Sequence, residues 1–345
     1  MGEWEYAEQI LYIDLTSRSA RVEPTSIELK RNYVGGAGFV ARLLAGDPTP
    51  HGGGAVAGAA KVALATGPLS DEMAGRLSMG AAPAPMGKMA LSSLGGRMAG
   101  ALKGSGYDAV VIEGQLDRPG VLMIEPDGVR LWDADQLWGM EVPETEGLLL
   151  RDIGPFYASM VLGPAAENEV PFATLAHEGH YAGGSGIAAT LGGKQLKALL
   201  VRDTVGLPNK CTGCTLACPA KLSMNADRAG ALGLDAPTAE RIAALAEACA
   251  QAGILPRPSE PFHEMAHRTG VGSLLALGEE ALLERVGPEA RRLVEALGLP
   301  RRKKSRGGVG VADLLGTCQR TWRERPGAVL REALVATHGL LARAI

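Results

Sequence analysis

The hydrophobic rhythm of the chain changes near residue 205. Before that point, short apolar runs alternate with turn residues. Residues 10–15 and 20–23 flank a Ser-Arg-Ser turn and read as two strands of a hairpin. Residues 62–66, 109–113 and 198–202 are short runs of Val, Leu, Ile and Ala, the pattern of strands buried on both faces. Residues 121–124 and 129–132 flank Asp127-Gly128, a pair that tolerates the positive φ angles of a two-residue hairpin turn. The spacing predicts a helix over residues 142–151. Glu144 and Glu146 fall in its first turn, where exposed backbone N–H groups favour negative charge.

Beyond residue 205 the period is helical. A helix is predicted over residues 237–252, with Asp235 as the N-cap and Pro237 at an early position, where its missing N–H costs nothing. Further helices are predicted over residues 272–286, 288–297 and 327–344. Arg301-Arg-Lys-Lys-Ser-Arg306 reads as an exposed basic linker, since charge runs are usually solvated. The expected fold is α+β: a β-rich N-terminal domain of two sheets over residues 1–205, then an α-helical domain over 206–345.

Composition narrows the function classes. A formal charge of −3 argues against broad nucleic-acid binding. No run of about 18 apolar residues exists, so no segment is expected to span a membrane. Acidic residues near the N-terminus, where a signal peptide would be basic, and the lack of a disulfide-like cysteine pattern lead to a cytoplasmic expectation. The 47 glycines are concentrated before residue 210, and imply many turns or close backbone approach to a ligand.

The cysteines carry the sharpest chemistry. Cys211-Thr-Gly-Cys214-Thr-Leu-Ala-Cys218-Pro219 brings three thiols within reach of one centre, and Cys318 stands apart as a fourth. Two thiolates separated by two residues can turn onto one metal, and a third lies about one helical turn further on. Four such ligands suit a [4Fe–4S] cluster or a structural zinc, and spacing alone does not separate the two. The fifth, Cys249, sits in an Ala- and Leu-rich run and reads as a small buried hydrophobe. His177-Glu-Gly-His180 lacks the i, i+4 spacing of a helical zinc site and reads as a loop.

Five blocks together resemble the tungsten-dependent aldehyde ferredoxin oxidoreductases. Gly75-Arg76, Ser93-Leu-Gly95-Gly96 and Lys103-Gly-Ser-Gly-Tyr-Asp-Ala109 resemble that family's first pterin-binding stretch. Trp138-Gly and Val142-Pro-Glu-Thr-Glu146 resemble the helix that follows. Leu162-Gly-Pro-Ala-Ala-Glu-Asn168, Gly179-His180 and Gly192-Gly-Lys194 resemble the second pterin stretch. Cys211, Cys214 and Cys218 match the cluster motif, and Asp313-Leu-Leu-Gly316-Thr-Cys318 matches the later motif that supplies the fourth ligand.

The resemblance implies a pterin-binding first domain and an iron–sulfur second domain. It implies a [4Fe–4S] cluster on Cys211, Cys214, Cys218 and Cys318, and tungsten or molybdenum held by pterin. Arg76, Ser93, Gly95, Gly96, Ala182, Gly183, Gly184, Gly186, Asp313 and Thr317 are the implied cofactor-binding positions. Asp313 and His180 are the implied catalytic candidates. Ferredoxin or a similar carrier is the implied electron partner, with a small-molecule substrate. The departures are specific. Tyr181 and Ser185 stand where the family has arginines, Ser93 replaces its Asn, and Ala250 replaces a carboxylate. The acidic stretch after the cluster motif is replaced by Leu222-Ser-Met-Asn-Ala-Asp-Arg228. Three functions fit this pattern: a compact redox enzyme, a non-catalytic electron-transfer or cofactor-carrying subunit completed by another chain, and a degenerate structural paralogue.

Overall fold

A computed structural model describes residues 6–45, 60–70, 75–82, 89–204, 206 and 228–296. The first six strands are β1 (Gln9–Asp14), β2 (Ser19–Pro24), β3 (Lys61–Ala65), β4 (Leu77–Ala82), β5 (Ala90–Leu94) and β6 (Ala109–Glu113). They form one sheet in the order β2-β1-β6-β3-β4-β5. The next six are β7 (Gly120–Glu125), β8 (Gly128–Asp133), β9 (Tyr157–Leu162), β10 (Leu175–His177), β11 (His180–Ala182) and β12 (Leu196–Arg202). They form a second sheet, which reads β8-β7-β12-β9-β10-β11.

The second order is the first with six added to every strand number. The pairing sense repeats as well. Strands β1 and β6 run parallel, as do β7 and β12, and every other neighbouring pair is antiparallel. The β-rich half is therefore a topological duplication, and the two repeats present corresponding loops. The hairpins anticipated at residues 10–23 and 121–132 are the first hairpin of each repeat. Mixed sheets of this kind meet the α+β expectation.

Helices fill the layers. They are α1 (Ile27–Tyr33), α2 (Gly36–Leu44), α3 (Met98–Gly104), α4 (Val142–Ile153), α5 (Pro164–Glu167) and α6 (Ile187–Gly193). In β6, Val110 and Ile112 join the large core between the sheets, while Ala109 and Val111 face Phe39 and Val40 of α2. In β7, Leu122 and Ile124 face that same core, and Val121 and Met123 join Leu149 of α4. Covering both faces is why these strands read as unbroken apolar runs rather than alternating ones. Full burial of a side chain such as Phe39 contributes about 1.5–3 kcal/mol.

Each repeat sends one helix across to the other. Helix α3 follows β5 but packs on β9 and β12, and α6 follows β11 but packs on β3, β4 and β5 as well as β12. Every residue of α6 is buried. Its Gly192 lies so close to α5 that an added Cβ would sit 1.9 Å from the Ala166 carbonyl oxygen.

The later helices are α7 (Arg228–Ala231), α8 (Ala236–Gln251), α9 (Pro261–His267), α10 (Gly272–Leu275), α11 (Glu279–Val286) and α12 (Pro288–Ala296). Asp235 is the N-cap residue of α8, as anticipated, but its carboxylate accepts from the Thr238 hydroxyl instead of a backbone N–H. Ile242, Leu245, Ala246 and Cys249 form the buried stripe of α8, at helical spacing, and join the core shared with the sheets. Cys249 is thus a buried core residue. The helix anticipated over residues 272–286 is broken in two, because Gly278 takes φ +92° between α10 and α11. The basic linker and the helix over 327–344 lie outside the described residues. Among the described residues, no helix is long and apolar enough to cross a membrane.

Candidate cofactor site

The two glycine-rich loops occupy corresponding positions in the two repeats. Gly95 and Gly96 link β5 to α3, and the loop over residues 183–186 links β11 to α6. Gly96, Gly183 and Gly186 have φ values of +98°, +89° and +101°, which a side-chain-bearing residue adopts only under strain. The folded chain joins the two loops edge to edge. The Gly183 N–H donates to Ser92 Oγ at 3.2 Å, tying the second loop to β5.

Arg76 begins the β4 side of the site and reaches across to β5. Its Nε and Nη2 donate to Ser93 Oγ at 3.1 and 2.7 Å, and Nη2 also donates to the Ser93 carbonyl at 3.1 Å. The guanidinium is half-buried and fixed in direction. Ser93 thus orients Arg76, a role its sequence position did not reveal.

Gly95 and Gly96 are followed by Arg97, which no local motif marks. Its side chain pairs with Glu178 and with Asp203, the latter at 3.0 Å. It also donates to the carbonyls of Pro155 and Tyr157 at 3.2 and 2.8 Å. The Arg97 backbone N–H donates to His177 Nε2 at 3.2 Å. On the other side of the ring, His177 Nδ1 lies 2.7 Å from the Ser159 carbonyl, so Nδ1 carries the proton and donates. His177 is fully buried, and burial holds its pKa below the ordinary histidine value despite the neighbouring Glu178.

His177-Glu-Gly-His180 is the turn of the β10–β11 hairpin. His177 and His180 are paired in register, and Glu178 and Gly179 between them take φ +48° and +76°. Positive φ at both central positions makes this a two-residue turn whose twist matches the strands. His180 is buried and its Nδ1 lies 3.3 Å from the His177 carbonyl. Glu146 of α4 accepts a hydrogen bond from the Glu178 backbone. Burial raises its pKa, and its Oε1 has no partner among the described residues.

The second loop carries Ala182 at the end of β11, then Gly183, Gly184, Ser185 and Gly186. Ser185 Oγ is buried with no hydrogen-bond partner among the described residues. A Cβ on Gly184 would come within 3.2 Å of Asp235 Cβ, so the loop presses against the start of α8. Arg76, Ser93, Gly95, Gly96, His180, Ala182, Gly183, Gly184 and Gly186 thus belong to one joined region. Asp313, Thr317, Cys211, Cys214, Cys218 and Cys318 lie outside the described residues. Among the described residues no cluster of three or more metal-ligating side chains occurs.

The fold is thus a duplicated pair of sheets whose corresponding glycine-rich loops meet at one edge. Residues 10–203 match the family described as Aldehyde ferredoxin oxidoreductase, N-terminal domain, and the chain belongs to that family. It is 32% identical over 212 residues to the tungsten-containing aldehyde ferredoxin oxidoreductase of Thermococcus kodakarensis, covering 60% of this chain and 34% of that protein. It is 27% identical over 229 residues to the WOR-like subunit of an aliphatic sulfonate oxidoreductase of Pyrococcus furiosus, covering 59% of this chain and 36% of that one. The chain therefore spans about a third of the length of these relatives. Its fold is similar to the active site complex BamBC of benzoyl coenzyme A reductase, with a TM-score of 0.72 at 20% identity, covering 85% of this chain and 65% of that one.

Proposed function

We propose that this chain is an aldehyde ferredoxin oxidoreductase-like redox protein that holds a tungsten or molybdenum pterin across its two glycine-rich loops and a [4Fe–4S] cluster on Cys211, Cys214, Cys218 and Cys318. The observation that carries the reading is the juncture of the loops, with Gly183 bonded to Ser92 and Arg97 bonded to His177. The residues present fit such a group. Glycines at 95, 96, 183, 184 and 186 let backbone groups approach a flat polar ring and its phosphate. Arg76 supplies a fixed cation, and Ser185 Oγ is a buried hydroxyl that still lacks a partner among the described residues.

When bound, the pterin metal would exchange two electrons with a small substrate, and the cluster would pass them singly to ferredoxin or a similar carrier. Arg76 would hold phosphate, Ser93 would aim Arg76, and the loop glycines would line the ring. Asp313 and Thr317 would complete the contacts from the later motif. His180 and Asp313 are the groups proposed to handle the proton released on oxidation, a task that commonly contributes ~10²–10⁴-fold. The family's acidic stretch after the cluster motif, which holds its proposed catalytic Glu, is replaced here by residues 222–228, so turnover of simple aldehydes by the isolated chain is expected to be slow or absent. The pterin domain is proposed as residues 1–205 and the cluster domain as 206–345, in a cytoplasmic protein.

A second reading is a cofactor-carrying subunit completed by another chain. It is favoured by the resemblance to a relative that is itself called a subunit. Turnover on adding a second polypeptide, with none from this chain alone, would select it. The cofactor site is tested by Arg76→Ala, which should lower tungsten or molybdenum content relative to an exposed control, Arg151→Ala. Unchanged metal content in Arg76→Ala would reject the site.

A further inference from the structure

We propose that His177 is a positioning residue that locks the first glycine-rich loop to the second repeat, so that the two loops of the cofactor site keep one register. The inference rests on the cofactor reading above for its purpose, but the lock itself stands on the fold.

The two repeats meet where β5 and its loop run beside β11. Gly95 and Gly96 have no side chains to fix their own place at that seam. His177 supplies a directional link. Its ring is fully buried and uses both nitrogens, donating from Nδ1 to the Ser159 carbonyl on β9 and accepting at Nε2 from the Arg97 N–H. The first contact is within its own repeat and the second crosses to the other. One planar ring therefore spans from β9 to the backbone of the residue that follows Gly96. A side chain without an acceptor there would leave the Arg97 N–H unpaired at the seam, where an unsatisfied polar group is costly.

The Arg97 side chain repeats the link from the other direction. It reaches Glu178 next to His177, Asp203 beyond β12, and the carbonyls of Pro155 and Tyr157 at the start of β9. All four partners belong to the second repeat or its exit. Arg97 comes from the first repeat, so its backbone and side chain both bridge the seam. The acceptor role of Nε2 requires a neutral ring. Glu178, His180 and Arg97 are the titratable groups that act on it: burial, helped by the nearby His180 and Arg97, keeps it neutral against the pull of Glu178.

The test compares the anaerobically purified protein with His177→Phe and His177→Gln. Phe keeps the ring volume but has no acceptor, and Gln retains a polar side chain in case Phe prevents folding. Hydrogen exchange is read peptide by peptide. Exchange over residues 95–98 should rise at least tenfold in His177→Phe, while β6 and β12 keep their protection. Nitrogen-15 NMR of the histidine rings should find His177 as the Nδ1–H tautomer. Pterin and metal content should fall more in His177→Phe than in a control core variant of equal melting-temperature loss, such as Leu149→Val. Unchanged exchange over residues 95–98, or an Nε2–H tautomer, would overturn the lock. If the unaltered protein carries no pterin, the cofactor reading fails while the exchange and tautomer results still decide the lock.

Discussion

Lys197→Met should be among the most damaging single changes outside the proposed cofactor site. Lys197 lies on β12 and its side chain is wholly buried; its partner Glu167, on α5, is almost as deep at 3% side-chain exposure. The ammonium pairs with Glu167 Oε1 and donates to the Met140 carbonyl at 2.8 Å, while Glu167 Oε2 accepts from the Gly139 N–H at 2.7 Å. Burial pushes the Lys197 pKa down and the Glu167 pKa up, so desolvation is the larger force on both. Methionine has nearly the same shape, so packing is kept while the charge and the hydrogen bond to the Met140 carbonyl are lost. That leaves a carboxylate buried against a single N–H donor, at a cost of about 3–5 kcal/mol. For a domain of this size the loss corresponds to roughly 6–20 °C in melting temperature.

The sign with pH follows from linkage. A raised folded pKa means the native state holds the Glu167 proton more tightly than the unfolded chain does. Stability then falls as pH rises through the range above the ordinary value of 4.5, and losing Lys197 extends that range upward. The deficit of Lys197→Met should therefore be smaller at pH 5 than at pH 8. Lys197→Met combined with Glu167→Gln should recover much of the loss, since no charge is then buried. Melting curves at the two pH values measure all of this. A single variant within about 1 kcal/mol of the unaltered protein would refute the reasoning, as would a double variant no more stable than the single.

Two further outcomes follow from packing and burial. Gly192→Ala should destabilise by at least about 1–3 kcal/mol, because the new methyl would overlap the Ala166 carbonyl across the α5–α6 contact and neither backbone can withdraw; thermal melting checks it, and an unchanged melting temperature would contradict it. Lys194 donates to the Gly114 carbonyl at 2.6 Å and its pKa is pushed down from 10.5 to about 8 by burial, so the unfolded chain binds the extra proton between those values. Its penalty, on the order of 3 kcal/mol below pH 8, should lift as pH rises toward 10.5, and the Lys194→Met protein should lack that rise in urea titrations.

What the sequence disclosed depended on local chemistry. The Asp127-Gly128 turn, the apolar run of β6 and the proline-started helix α8 each carry their signal within a few residues. Strand β4 does not: Leu-Ser-Met-Gly-Ala-Ala has little β-branched character, and its Gly80 is small because an added Cβ would lie 2.7 Å from Val40 on α2. That requirement is tertiary and leaves no mark on neighbouring residues. The duplication is hidden for the same reason, since pairing order is kept while side chains differ between repeats. At the proposed site, Arg76 and the glycines were singled out by the family resemblance. Arg97 and the dual bonding of His177 were not, because their partners lie 18 to 106 residues away. Glu178-Gly179 also lacks the Asn-Gly or Asp-Gly form that would have marked the β10–β11 turn.

The central claim, a pterin metal and an iron–sulfur cluster on one chain, is tested most directly by elemental analysis of protein purified without oxygen. About four iron atoms per chain are expected, as a [4Fe–4S] cluster requires, together with tungsten or molybdenum and little zinc. Zinc in place of iron, with neither tungsten nor molybdenum, would contradict it.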